Sequence, residues 1–231
     1  MNRFALLLVL FFAGSVQVSA QDAMALVSKV KAKLDKVKDY TASGKLKTDV
    51  SFIKIPDSDV QVFFKNPDKF KIKKKDGISV LPKGGVSINI GSLLVGENFA
   101  AVPAGKGTVG GVPVSIVKML PLAEQSDVAL STLYIDEKNL LIRKAVTTTK
   151  QNGTYEMELN YGKYASWGLP DKVTFSFSTK DFKLPKGVAM EYETGAPKKN
   201  TPATSGEQKG KVEITYASYT INKGVSDAVF K

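Results

Sequence analysis

The strongest constraint on the fold is a change of period near residue 39. From Asp22 to Lys38, the apolar residues Leu26, Val27, Val30, Leu34 and Val37 recur every three or four positions, with lysines between them. That is the stripe of an amphipathic helix. Asp22 stands where an N-cap or first-turn acid belongs, and Lys36 and Lys38 where cations suit the C-terminal end of the helix dipole. From Tyr40 to Phe52 the period becomes two. Tyr40, Ala42, Gly44, Leu46, Val50 and Phe52 share one face, and Thr41, Ser43, Lys45, Lys47, Asp49 and Ser51 the other. At about 3.3 Å per residue such a strand runs roughly 40 Å, which suits a strongly curved sheet better than an ordinary sandwich. Nearly everything that follows is also strand. One helix with a single greasy face, set before a large curved sheet, predicts a lid over an apolar concavity.

The residues before the helix set the compartment. Asn2-Arg3, the apolar run Phe4 to Phe12 and the small-residue end Val18-Ser19-Ala20 predict a removable signal peptide over 1–20. The run is shorter than the roughly 20 apolar residues needed to span a bilayer. The chain contains no cysteine, so the expected mature protein, 21–231, carries no thioether lipid anchor or disulfide. It contains no histidine either. Ser-His-Asp and Cys-His catalysis and the commonest metal ligands are therefore excluded. The expectation is a soluble periplasmic protein that is not an enzyme and needs no metal or cofactor. The formal net charge is +11; outside the cytosol this points to anionic lipid headgroups or an acidic protein rather than nucleic acid.

The remaining chain reads as one domain of alternating strands. Strands are expected at 60–65, 69–75, 77–81, 86–90, 112–119, 128–135, 140–150, 154–164, 173–179, 188–194 and 211–222. Turns are expected at Pro56-Asp57, Asn66-Pro67-Asp68 and Lys83-Gly84-Gly85. Asn152-Gly153 is the clearest hairpin signal. Gly91 to Gly111 has no clean period and reads as a short helix or a mobile flap. Gly195 to Gly210, rich in Pro, Lys, Thr, Ser and Gly, reads as a flexible loop.

Three groups of residues invite a chemical reading. Lys65, Lys69, Lys71, Lys73, Lys74 and Lys75 cluster on two neighbouring strands, which suits either a headgroup-binding surface or a solvated strand face. Glu156 and Glu158 share one strand face roughly 7 Å apart. That spacing fits a pair of hydrolytic carboxylates, but it fits cross-strand pairing with lysines or Arg143 better. The third group is apolar. Tyr40, Leu46, Phe52, Val62, Phe64, Phe70, Tyr155, Met157, Leu159, Phe175 and Phe177 either line a ligand cavity or fill the core, facing Leu26, Val30 and Leu34 of the helix.

Three segments together resemble the LolA-type periplasmic carriers of outer-membrane lipoproteins. They are the helix-to-strand passage Val30 to Ser43, the corner Phe64-Lys65-Asn66-Pro67-Asp68-Lys69-Phe70, and the step Tyr134-Ile135-Asp136-Glu137-Lys138-Asn139-Leu140-Leu141-Ile142-Arg143. The ending Tyr219 to Phe230 is also similar to that of many relatives. The resemblance implies a mainly β (α+β) fold: a strongly curved antiparallel sheet forming an incomplete β-barrel, with the N-terminal helix and further short helices as a lid. It implies a monomer whose cavity holds lipoprotein acyl chains or another lipid, working between an inner-membrane exporter and an outer-membrane acceptor. A second reading is an envelope sensor that uses the same half-barrel to recognise lipoproteins or a membrane partner. The best-known carriers hold the lid with an arginine just before the corner proline. Asn66 occupies that lid-control position here, and an amide does not replace a guanidinium fork.

Overall fold

The computed structural model describes residues 20–50, 53–74, 94, 98–151, 153–178 and 209–230. Helix α1 covers Ala20–Leu34, followed by β1 (Asp39–Val50), β2 (Ile53–Lys65), β3 (Lys69–Lys74), β4 (Phe99–Val109) and β5 (Val112–Pro121). Then come β6 (Val128–Asp136), β7 (Leu141–Thr149), β8 (Thr154–Asn160), β9 (Lys172–Ser178) and β10 (Lys209–Ile221). Two short 3-10 turns, Ala165–Trp167 and Asp227–Phe230, complete the described elements. No described helix is long and apolar enough to cross a membrane.

The ten strands form one sheet in the order β3-β2-β1-β10-β9-β8-β7-β6-β5-β4, every neighbouring pair antiparallel. The end strands β3 and β4 do not pair, so the sheet curves into an open half-barrel. β10 lies between β1 and β9, so the end of the chain locks its beginning into the sheet.

Alternation assigns the two faces. Leu46, Val62, Ile72, Ile214, Val173, Met157, Ala145, Leu133 and Val117 are all buried on the inner side. Helix α1 lays Ala23, Val27 and Val30 on that face, with exposures of 3, 0 and 1 %, and packs against β4. Burying each of the two valines contributes about 1.5–3 kcal/mol, and Ala23 less. This burial supplies most of the helix's stability, since 15 residues are marginal alone.

The structure corrects several sequence expectations. The helix ends at Leu34 rather than Lys38: Lys36 N–H turns back to Lys33 O and Val37 N–H to Leu34 O, which tightens the last turn and buries Val37. Pro56-Asp57 is not a turn but part of β2. The pairing there jumps from Leu46↔Ser58 to Thr48↔Ile55, and such an irregularity accommodates a proline that cannot donate to the ladder. Residues 99–109 of the segment expected as a short helix or flap are strand β4; Gly105 within it takes a positive φ of 96°, and Gly110 in the turn that follows one of 56°. β8 stops at Asn160, where the chain turns and Tyr161 O–H donates to Ile142 O at 2.9 Å. The expected leader up to residue 19, the strands at 77–81, 86–90 and 188–194, and nearly all of the 195–210 loop lie outside the described residues, while Ala20 opens α1.

Candidate functional site

The inner face is continuous from β3 to β4 and is covered by α1. Of the apolar residues singled out in the sequence, Val30, Tyr40, Leu46, Val62, Phe64, Met157, Leu159 and Phe175 are buried in one cluster. Leu26, Leu34, Phe70, Tyr155 and Phe177 are half-buried against it, and Phe52 lies outside the described residues. Sheet register explains the convergence. Tyr40 sits opposite Phe64 on one side and Ile221 on the other, and Met157 opposite Phe175 and Ala145.

The sequence reading missed half of the wall. Val117, Met119, Leu133, Ile135, Ala145, Ile214 and Tyr216 belong to the same buried body. Their alternation within β5, β6, β7 and β10 was the available signal. Among the aromatics, Tyr40 stacks on Phe64 at 5.2 Å and meets Tyr219 edge-on at 5.2 Å. Burial pushes the Tyr40, Tyr216 and Tyr219 hydroxyls above the usual phenol range. Tyr219 O–H donates to Pro170 O at 2.8 Å. One hydroxyl pair, Ser131 and Thr147, is joined at 2.9 Å within this apolar wall.

Two polar clusters fasten the C-terminal end of α1. Lys33 Nζ donates to Asn139 O at 2.7 Å in the β6–β7 turn. Asp136 shapes that turn: its carboxylate accepts from Asn139 N–H, Asn139 Nδ2 and Arg143 Nη2 at 3.1, 2.9 and 2.9 Å. Burial works to raise the Asp136 pKa, but the Asn139 and Arg143 hydrogen bonds outweigh it and hold it below the usual carboxylate range. The Arg143 guanidinium lies 5.4 Å from the Tyr161 ring centre. Gly168, at φ 73°, lies beside Leu34: a Cβ there would come within 2.9 Å of Leu34 Cδ2. Trp167, just before it, is 39 % exposed.

The second cluster comes from the end of the chain. Asn222 Oδ1 accepts from Lys38 N–H at 2.7 Å, and its Nδ2 donates to Lys36 O at 2.9 Å. Asp39 Oδ1 in return accepts from Lys223 and Gly224 N–H at 3.1 and 2.9 Å. Asp227 bridges Lys65 and Lys69 across the β2–β3 corner at 3.0 and 2.7 Å. Asn66 stands in that corner before a cis proline, and its backbone N–H donates to Lys38 O at 2.8 Å. Asn66, the position expected to control a lid, is thus joined to the α1–β1 link through its backbone.

The two glutamates on β8 form part of a salt-bridged surface. Lys144 Nζ lies 2.7 Å from Glu156 Oε2, and Glu158 faces Lys144 in the ladder.

An open antiparallel half-barrel with one helix across an apolar inner face is the class of fold this geometry defines. The chain matches no family model and no curated protein sequence. Solved structures with the same architecture include a LolA superfamily protein from Nitrosomonas europaea, 7 % identical, with a TM-score of 0.56 over 90 % of this chain and 97 % of that one. An outer membrane lipoprotein-sorting protein domain from Vibrio parahaemolyticus is 11 % identical, with a TM-score of 0.54 over 92 and 97 %. A DUF1329 family protein from Desulfovibrio piger is 10 % identical, with the same TM-score and coverage. The chain has a LolA-like fold.

Proposed function

We propose that this protein is a soluble periplasmic carrier that shields acyl chains, of a lipoprotein or of another lipid, beneath α1. One observation carries the reading: a single apolar inner face runs across all ten strands and is covered by one helix. The Lys33 and Asn222 hydrogen bonds hold the C-terminal end of that helix, whereas Ala23, Val27 and Val30 rest on the sheet by apolar contact. With those side chains buried, the described structure corresponds to a closed state. An acyl chain takes the place of the helix face as α1 lifts, exchanging one apolar contact for another. Each buried methylene contributes about 0.8 kcal/mol, so a chain of roughly ten methylenes repays much of the helix displacement.

The test is organic extraction of the purified protein followed by mass spectrometry, together with titration of a fluorescent fatty-acyl probe. Co-purified lipid or saturable uptake is expected. A protein that is both empty and unable to take up the probe sinks the proposal. Uptake without transfer between membranes, in a stable complex with an envelope protein, would instead mark a sensor.

A further inference from the structure

On the outer face, where β10, β1, β2 and β3 lie side by side, there is a groove of about 510 Å³ lined by Ser43, Gly44, Lys45, Asp59, Gln61 and Lys73 among others. Register brings these residues together from three strands. Ser43 stands opposite Gln61, Gln61 opposite Lys73, and Lys45 opposite Asp59. All five of these side chains are exposed.

A bulge shapes the floor. The β1–β10 register steps from Ser43↔Ser218 to Gly44↔Tyr216, which leaves Ala217 unpaired. A Cβ on Gly44 would sit 2.5 Å from Thr215 O, so the backbones approach closely there and only glycine fits. Ser43 and Ser218 share one hydroxyl hydrogen bond at 2.7 Å. Of their two O–H groups, one remains able to donate outward.

The charges do not cancel. Lys45 and Lys73 bring two ammonium groups against the single Asp59 carboxylate. At the neighbouring corner Lys65 and Lys69 are both engaged by Asp227. In the groove, by contrast, Lys45 forms no ion pair among the described residues. Lys73 instead places its Nζ 5.5 Å from the centre of the Phe63 ring.

We propose that this groove binds the phosphate of an anionic phospholipid headgroup, docking the outer face of β1–β3 on an anionic membrane. Lysines act as mobile point charges rather than bidentate forks, and two of them on an open face match a dense array of headgroups better than one tightly shaped anion. Ser and Gln donors beside them supply directional hydrogen bonds to phosphate oxygens. The site lies on the face opposite the acyl-binding interior, so the two proposals stand or fall separately.

Co-sedimentation of the purified protein with vesicles tests it. Vesicles of equimolar phosphatidylcholine and phosphatidylglycerol are expected to carry the protein down, and pure phosphatidylcholine vesicles to leave it in solution. The double variant Lys45→Gln/Lys73→Gln should bind roughly 25-fold more weakly, about fivefold per lysine, equivalent to ~1 kcal/mol each. The charge-matched pair Lys106→Gln/Lys118→Gln, on the opposite end of the sheet, should bind nearly as well as the parent. Equal losses in the two double variants would mean net charge alone, and equal sedimentation with both vesicle types would mean no headgroup recognition; either result overturns the proposal. Inorganic phosphate should displace the protein no better than chloride at equal ionic strength, and selective displacement would assign the groove to free phosphate instead. Acyl-probe uptake by the Lys45→Gln/Lys73→Gln variant, measured without vesicles, should match the parent and shows that the variant is folded. If the parent takes up no acyl probe, the carrier reading fails while the vesicle result stands.

Discussion

The C-terminal end of α1 is held by two polar clusters of similar chemistry but opposite surroundings. In the β6–β7 turn, Asp136 has a side-chain exposure of 3 % and its partner Arg143 one of 18 %. At the chain's end, Asn222, Lys223, Gly224 and Asp227 are all exposed. Both clusters consist of carboxylates, amides and backbone groups within about hydrogen-bond distance. Burial makes the difference. A low local dielectric strengthens each bond in the buried cluster and raises the penalty for breaking one. Water competes for every bond in the exposed one. The first cluster therefore fixes where the helix ends, and the second acts as a clip that opens at little cost.

The sharpest way to break this contrast is Asp136→Ala. It leaves the half-buried Arg143 without its counter-ion and unties the turn that receives Lys33, with an expected loss of about 3 kcal/mol, the low end for a buried pair. In a protein of this size that lowers Tm by roughly 10 °C. Urea unfolding measures the loss, and a change under about 1 kcal/mol would mean that burial does not set the value of this cluster. The sign of the pH dependence follows from the same site. Because the folded-state pKa of Asp136 lies below the ordinary value of 3.8, its stabilisation is present above that value and is lost as pH falls through the folded pKa. Asp136→Asn should flatten acid unfolding below about pH 4.

Asn222 is expected to matter less. Asn222→Ala removes the two side-chain bonds to Lys36 O and Lys38 N–H and places alanine at φ 56°. About 1 kcal/mol for the bonds, reduced from twice that by exposure, and about 1 kcal/mol for the left-handed backbone give a total near 2 kcal/mol. Asn222→Gly separates the two contributions, since it loses the bonds but not the backbone fit. Equal effects of the two substitutions would show that the conformation of residue 222 contributes nothing.

The sequence made the apolar architecture legible and left most of this polar framework unread. Alternation reveals which residues face inward, so Leu46, Val62, Met157 and Phe175 stand out from their spacing alone. A period says nothing about partners far apart in the chain. Asn222 meets Lys36 across 186 positions and Lys33 meets Asn139 across 106, and a lone Asn after a strand looks like any turn residue. The β4 segment failed for a related reason. Its alanines, glycines and Pro103 carry little hydrophobic contrast, and its strand character comes from pairing with β5 rather than from its own side chains. The Pro56-Asp57 step looked like a turn because proline and aspartate favour turns locally, while the long β1–β2 ladder on either side carried the pairing through it.

The smallest expected effect belongs to Asp227, and it tests the exposed end of the contrast. Its carboxylate is held below the usual range by hydrogen bonds from Lys69 and Lys65, so whatever it contributes is present above the ordinary value and lost as pH falls through the folded one. The group is open to solvent, and both lysines keep much of their exposure. Asp227→Asn should therefore leave Tm almost unchanged at physiological salt, with a small decrease visible only at low ionic strength, where screening weakens. The readout that should move is local. The 3-10 turn that it opens is held by Val229 N–H donating to Ser226 O at 3.1 Å and by Ala228 N–H donating to Ser226 Oγ at 3.3 Å. Released from the β2–β3 corner, these two amides should exchange with deuterium faster, while the core amides of β1 and β10 keep their protection. Faster exchange spreading into β10 would mean that the exposed clip sustains the sheet itself, and the division of labour between the two clusters would have to be abandoned.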